Sequence, residues 1–325
     1  MSAKIRILHM SSTPIVGAMG KLSYLLSQNG YDSVSLVFKD YGADSGLSTY
    51  FLDNSVVYDE NIKECILDYA KSSDIIWVHN LIPDEFYDIL GHCTYKSKFV
   101  YHCHSFNKEP PLFYDPTHIM PVKFCKKLAV AQFQPRFFQD YTIVPNIITY
   151  KPYLKLKEDK ELLTVIYSPS NRKPFTKYGN KYSSSMGDEL KFLASSNKIR
   201  LIYANQVRPN NLFALRRLSA HVTIDEIVSG GYHQVSLEGL CAGNVVINNA
   251  DFFAQMNIKQ IAGVDEMPFY ICDESNFFDR LNALREDNEL VRRYQRLSYD
   301  FFTNYLSQDK LFAYYDRICK QVLEE

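Results

Sequence analysis

Ile224-Asp225-Glu226-Ile227-Val228-Ser229-Gly230-Gly231-Tyr232-His233-Gln234-Val235-Ser236-Leu237-Glu238-Gly239-Leu240-Cys241-Ala242-Gly243-Asn244-Val245-Val246-Ile247 decides how this chain is read. Val222 and Ile224 close a short apolar run that predicts a buried strand. The adjacent Gly230 and Gly231 allow positive φ or a close approach to a ligand. From Gln234 onward, Val235, Leu237, Leu240 and Cys241 recur at helical spacing. Gly243 then ends the helix as a C′ residue, and Val245, Val246 and Ile247 begin another strand. In a strand, glycine turn and helix of this kind the first N–H groups of the helix face the turn, which makes an anion site, for phosphates above all. Glu238, about one turn into the helix, is placed to accept hydrogen bonds from sugar hydroxyls. The plain alternative is an ordinary α/β turn with a solvated glutamate.

The 325 residues suffice for two domains with separate cores. No run approaches the roughly eighteen apolar residues of a membrane span. The N-terminal Met-Ser-Ala-Lys-Ile-Arg enters a strand directly, without a signal-peptide pattern. Seven cysteines, odd in number and never spaced C-x-x-C, argue against a disulfide framework or zinc ribbon. They indicate a reducing compartment and a cytoplasmic protein. A net charge of −1 selects no polyanionic partner. Residues 151–200 nevertheless carry eleven Lys or Arg against five Asp or Glu, and Lys123, Lys126, Lys127 and Arg136 extend this basic middle. Such a distribution suits a solvated face, an anionic ligand held between two halves, or contact with a membrane surface or nucleic acid.

In chain order, residues 4–10 predict a strand, followed by a loop of small residues containing Gly17 and Gly20, a helix to about 29 and a strand at 33–38. This is a βαβ opening without the G-x-G-x-x-G of a dinucleotide site. The alternation continues with helices at 62–69 and 83–90 and strands at 74–79, 99–102, 128–131 and 142–144. The proline- and aromatic-rich segment 105–120 predicts a long functional loop. Residues 151–161 read as a charged linker. A second series follows, with strands at 163–167 and 199–203 and helices at 183–195 and 210–218, then the quoted stretch and a strand at 269–271. Three amphipathic helices at 275–285, 288–306 and 309–323 end the chain, the last striped with Leu311, Phe312, Tyr315, Ile318, Cys319 and Val322. The expected fold class is α/β, with two Rossmann-like doubly wound domains facing a central cleft.

The loop after the strand at 163–167 reads Ser168-Pro169-Ser170-Asn171-Arg172-Lys173-Pro174-Phe175-Thr176-Lys177. Arg172, with Lys173 or Lys177, would neutralise a diphosphate from the edge that Gly230 and His233 share. This loop, the motif Asp-Glu-Ile-x-x-Gly-x-Tyr-x5-Glu-Gly-Leu-x-x-Gly, the segment Tyr101-His102-Cys103-His104-Ser105 and Val144-Pro145-Asn146 together resemble family 4 (group 1) glycosyltransferases of GT-B fold. The resemblance implies a retaining, metal-independent transfer from a nucleotide diphosphate sugar, with no cofactor. It implies an acceptor-side domain at 1–150, with the helix at 309–325 packing back on it, and a nucleotide-sugar domain at 160–308. It places Arg172 and Lys177, with Lys173 as the other choice, on the departing diphosphate, assisted by the amides of Gly231, Tyr232 and His233. Glu238 then binds the ribose, His104 the transferred sugar, and Gly17 lies near the diphosphate or acceptor. Independently, the chain contains no Asp-x-Asp, the carboxylate pair by which another glycosyltransferase fold holds its metal.

The sequence departs from that family at Gly230, where a glutamate eight residues before Glu238 is usual. Asp225 or Glu226 is the expected substitute. His102 and His104 alternate at a strand end and point to one side of it. With no third ligand beside them in sequence, no metal site is expected. A hydrogen-bonded structural role is expected for His102 and a sugar contact for His104. Of His9, His79 and His233, only the last has a position that suggests a ligand. The acceptor is open among a glycan, a lipid-linked saccharide, a protein and modified DNA, and contact with a membrane would be peripheral. Two other functions fit the same residues: a nucleotide-sugar epimerase or hydrolase, and a non-catalytic nucleotide-sugar or glycan-binding module.

Overall fold

The structure is a computed structural model that describes residues 4–40, 55–93, 96–104, 115–132, 134–169, 183–204 and 209–325. The chain divides into two compact units, Met1–Thr149 with Gln308–Glu325, and Tyr150–Ser307. Both are parallel α/β sheets with helices.

In the first unit the order is β1 (Arg6–Ser11), α1 (Ala18–Ser27), β2 (Asp32–Val37), β3 (Ser55–Val57), α2 (Lys63–Lys71), β4 (Ile75–His79), α3 (Asp84–Gly91), β5 (Lys98–Cys103), β6 (Lys126–Val130) and β7 (Thr142–Val144). The strands lie in the order β3-β2-β1-β4-β5-β6-β7, every pair parallel. β4, Ile-Ile-Trp-Val-His, is buried at every position, as a central strand covered on both faces requires. From β1 the chain adds strands on one side, and from β4 on the other. The β1/β4 junction is therefore the switch point at whose C-terminal edge open sheets take ligands.

In the second unit the order is β8 (Thr164–Tyr167), α4 (Ser184–Ser195), β9 (Arg200–Tyr203), α5 (Pro209–Ser219), β10 (Val222–Ile224), α6 (Gln234–Cys241), β11 (Val245–Asn248), α7 (Phe252–Ala262), β12 (Phe269–Ile271), α8 (Phe277–Glu286) and α9 (Asn288–Phe301). The sheet runs β12-β11-β10-β8-β9, again all parallel. Its switch point falls between β8 and β10. α6 lies close on the sheet because Gly239 has no side chain: a Cβ there would stand 2.8 Å from Val246 Cγ2. Gly243, at φ +65°, ends α6, and the Asn244 N–H reaches back to the Gly239 carbonyl at 3.0 Å, a Schellman closure.

The last helix, α10 (Gln308–Glu324), belongs to the first unit and buries Leu311, Tyr315, Ile318, Cys319 and Val322. The Tyr315 hydroxyl donates to the Pro145 carbonyl at 2.6 Å, and its ring lies 6.0 Å from that of Trp77. Tyr31 donates to Asp316 at 2.7 Å.

Three local readings change. The stretch 151–161 is no free linker, because its backbone is bonded to α9: the Lys157 N–H donates to Gln295 Oε1 at 2.9 Å, and Gln295 Nε2 to the Lys155 carbonyl at 3.0 Å. The edge strand β3, Ser-Val-Val with both valines exposed, escaped the sequence pattern. So did α7, whose Phe252, Phe253 and Met256 are exposed while only Ala254 and Ile258 turn inward. Among the described residues no helix is long and apolar enough to cross a membrane.

Candidate functional site

Each sheet carries a polar group of residues at its switch point. In the first unit it is made of histidines. Parallel pairing sets His9 of β1 opposite Trp77 and His79 of β4 opposite His102 of β5. His104, two residues past His102, falls on the same face. His9 Nδ1 lies 3.0 Å from His79 Nε2, and His79 Nδ1 lies 2.9 Å from His104 Nε2. The rings of His102 and His104 are 3.8 Å apart. His9, His79 and His102 are buried, whereas His104 keeps part of its surface open. Burial, which disfavours the charged imidazolium, lowers the pKa of His104 to about 3. It does the same to His9, to about 3, with the neighbouring His104 adding to the effect. The group is therefore neutral at physiological pH.

His104 is held from both sides of its backbone. Its N–H donates to Asn80 Oδ1 at 2.7 Å, and its carbonyl accepts from Gln134 Nε2 at 2.9 Å. The expectation for His102 is corrected: neither ring nitrogen has a hydrogen-bond partner among the described residues. His79, passed over in the sequence, joins the group because β4 and β5 are neighbours. Gly17 is buried at φ +76° as the N-cap of α1, and it follows Ile15 and Val16 at φ 49° and 55°. Positive φ at two consecutive β-branched residues is strained backbone, at the loop that leaves β1.

In the second unit, Tyr167 of β8 pairs with Ile224 of β10, so Ser168 and Asp225 open their loops side by side. The centre of this edge is an ion pair missed in the sequence. Arg216 of α5 is 0% exposed and Glu238 of α6 is 6% exposed. Arg216 Nη1 bonds Glu238 Oε2, and Nη2 donates to Ser168 Oγ at 3.1 Å. Gln234 Nε2 donates to the other carboxylate oxygen at 3.1 Å. The signal was available: Arg216 stands three residues after the buried Phe213, on the inward face of α5.

The expected phosphate cradle is altered by Asp225. Its carboxylate accepts from the His233 N–H at 2.6 Å and from Ser236 Oγ at 2.8 Å, and lies 3.3 Å from His233 Nδ1. The N-terminus of α6 thus already holds a negative group, and the His233 amide is not available to a ligand while that bond stands. The Tyr232 side chain packs in the core, with its ring 5.2 Å from that of Phe269. Glu226 is occupied as well, accepting from the Val228 and Ser229 N–H groups at 2.7 Å each. Both carboxylates thus already serve the turn itself. Gly230, at φ +79°, faces Asp251 instead, whose Oδ2 is 3.4 Å from where a Gly230 Cβ would be. A Cβ on the adjacent Gly231 would stand 3.5 Å from Ser229 Oγ, in ordinary contact. Arg172, Lys173 and Lys177 lie outside the described residues.

Burial opposes the charge on Asp225, but His233 and the hydrogen bonds outweigh it and hold the carboxyl below the 3.8 of a free aspartate. A lowered folded pKa gives stability that is complete above 3.8 and is lost as the pH falls through the folded value. Asp225→Asn is expected to cost about 1.5–3 kcal/mol at pH 7. In urea unfolding its gap from the wild type should narrow at about pH 3. An unchanged gap would show that the carboxylate's charge is not what secures this turn.

No family model matches the chain, and no curated protein matches its sequence. Solved structures do. An α-glucosyltransferase in complex with UDP and a 13-mer DNA containing a central A:G mismatch superposes with a TM-score of 0.63 at 11% identity, over 98% of this chain and 99% of that one. Anabaena Alr3699/HepE in complex with UDP and glucose gives 0.62 at 11% identity, over 98% and 100%. A glycosyltransferase from Rickettsia africae ESF-5 gives 0.57 at 13% identity, over 99% of both chains. At these identities the likeness shows the fold, two Rossmann-like α/β units as in GT-B glycosyltransferases. Membership of family 4 in particular is not supported by a family model.

Proposed function

We propose that this chain is a retaining glycosyltransferase that moves a sugar from a nucleotide diphosphate donor to an acceptor, with no metal taking part in the transfer. The observation that carries this reading is Glu238, nearly buried on α6 at the switch point of the second sheet and backed by the buried Arg216. Carboxylate oxygens accept more than one hydrogen bond each, so Glu238 can hold its protein partners and still receive ribose hydroxyls. The guanidinium behind it fixes its position through a charge-assisted hydrogen bond.

The diphosphate must be met by cations. Asp225 places negative charge at the helix end that would otherwise receive it. The grip therefore falls more heavily on Arg172, as a planar fork, with Lys177 or Lys173 as a point charge. Asp251, beside Gly230 and capping α7 through the Ala254 N–H at 3.0 Å, joins Asp225 and Glu226 as a candidate for the carboxylate that Gly230 lacks. Neutral His104 contacts the transferred sugar.

UDP accompanies both the α-glucosyltransferase and the HepE structures named above, and DNA the first of these. UDP-sugars therefore head the donor panel, and duplex DNA stands beside saccharides and lipid-linked saccharides as acceptors. Release of nucleoside diphosphate that requires acceptor, with the sugar transferred in retained configuration, is the expected result. An altered or hydrolysed donor without acceptor would make the chain an epimerase or hydrolase instead. Tight nucleotide binding without turnover would make it a binding module. Arg172→Ala should lower kcat/KM about ten- to a hundredfold, the worth of a charge-assisted hydrogen bond of about 1.5–3 kcal/mol. Unchanged turnover in that variant would remove Arg172 from the site.

A further inference from the structure

We infer that His79, His102 and His104 form a binding site for a divalent transition-metal ion of the zinc, cobalt or copper class. One ring nitrogen from each of the three lies within 4.8 Å of the others. A tetrahedral zinc site, with Zn–N of about 2.0–2.1 Å, spaces its nitrogens roughly 3.4 Å apart. Small ring rotations close the difference, and the rings start on one face of two paired strands.

The hydrogen-bond inventory points the same way. His102 is buried with both nitrogens unpartnered among the described residues, which costs stability for as long as nothing binds them. His79 Nδ1 and His104 Nε2, 2.9 Å apart, need one shared proton between two lone pairs, a place an ion can take. His79 Nε2 lies 3.0 Å from His9 Nδ1, and when it donates there Nδ1 is left to the ion. The donor set is three imidazoles with no carboxylate, which favours Zn²⁺, Co²⁺ or Cu²⁺ over Mg²⁺ or Ca²⁺. Cys103 lies on the opposite face, in the core with Tyr101, and does not join. His104, the partly open member, gives the ion its way in.

One consequence rests on the proposed transferase reading: an ion held by His104 withdraws it from the sugar, so Zn²⁺ inhibits transfer in competition with the donor. Binding itself is tested without nucleotide. Co²⁺ titrated into the purified full chain should give visible d–d absorption saturating at one ion per chain, displaced by Zn²⁺ and not by Mg²⁺. His104→Gln, at the open edge of the group, and His102→Phe, which keeps a buried ring, should each weaken binding by at least about tenfold. The exposed His92→Gln should leave it unchanged. No saturable absorption from the wild-type chain, or equal affinity in the His104 and His102 variants, overturns the site. If transfer is found and Zn²⁺ does not bind, the metal site alone falls. If the ion binds through these residues and no donor is turned over, the site stands and the transferase reading falls.

Discussion

A chain ended at Ser307 is expected to lose the folded state of its first unit. Leu311, Ile318 and Val322 of α10 are buried there with Tyr315 and Cys319. At about 1.5–3 kcal/mol for each fully buried aliphatic side chain, the first three alone contribute roughly 5–9 kcal/mol. That is comparable to the whole stability of an ordinary domain, about 5–15 kcal/mol. The same cut removes the Tyr315 bond to the Pro145 carbonyl and the Asp316 acceptor of Tyr31. The chain carries its own reporter, a single tryptophan, Trp77, fully buried and 6.0 Å from the Tyr315 ring. Its emission should shift to the red in the shortened chain, with loss of near-ultraviolet circular dichroism. Unshifted emission and an unchanged urea midpoint would mean that α10 is dispensable to this unit. The site has a stake in the result, since Tyr315 also lies 6.3 Å from His102.

Arg216→Met should cost the second unit about 3–5 kcal/mol, because it leaves Glu238 as a buried charge without its cation. The informative comparison is with Arg216→Met combined with Glu238→Leu. Replacing both members of a buried pair by apolar groups of similar size is often close to neutral. The double variant should therefore recover most of the loss in urea unfolding. A single variant within about 1 kcal/mol of wild type, or a double variant no better than the single, would refute this account of the pair.

Much of the architecture was legible from the residues. β7 and β12 fall on the expected 142–144 and 269–271, because short apolar runs bounded by turn residues leave little choice of boundary. Gly243 was readable as the end of α6 because only a residue tolerant of positive φ serves there. α7 was not legible, since its large apolar residues face outward. The candidate site was legible in kind and less so in detail. The glycine turn and the start of α6 were legible, but that Asp225 accepts from the His233 amide, and that Arg216 pairs with Glu238, was not. His9 and His79, 70 residues apart, and His104, 25 residues beyond His79, gave no sign of forming one group.

What the amino-acid order determined unaided is the α/β alternation and the placing of polar loops at strand ends. Both follow from periodicity and turn chemistry, which act within a few residues of one another. Only the tertiary structure decided which buried charges pair, which carboxylate fills the start of α6, and that His79, His102 and His104, at the ends of β4 and β5, meet on one face. Burial, desolvation and hydrogen bonding are properties of residues brought together by strand order, and strand order is set by the packing of the whole sheet rather than by any one segment.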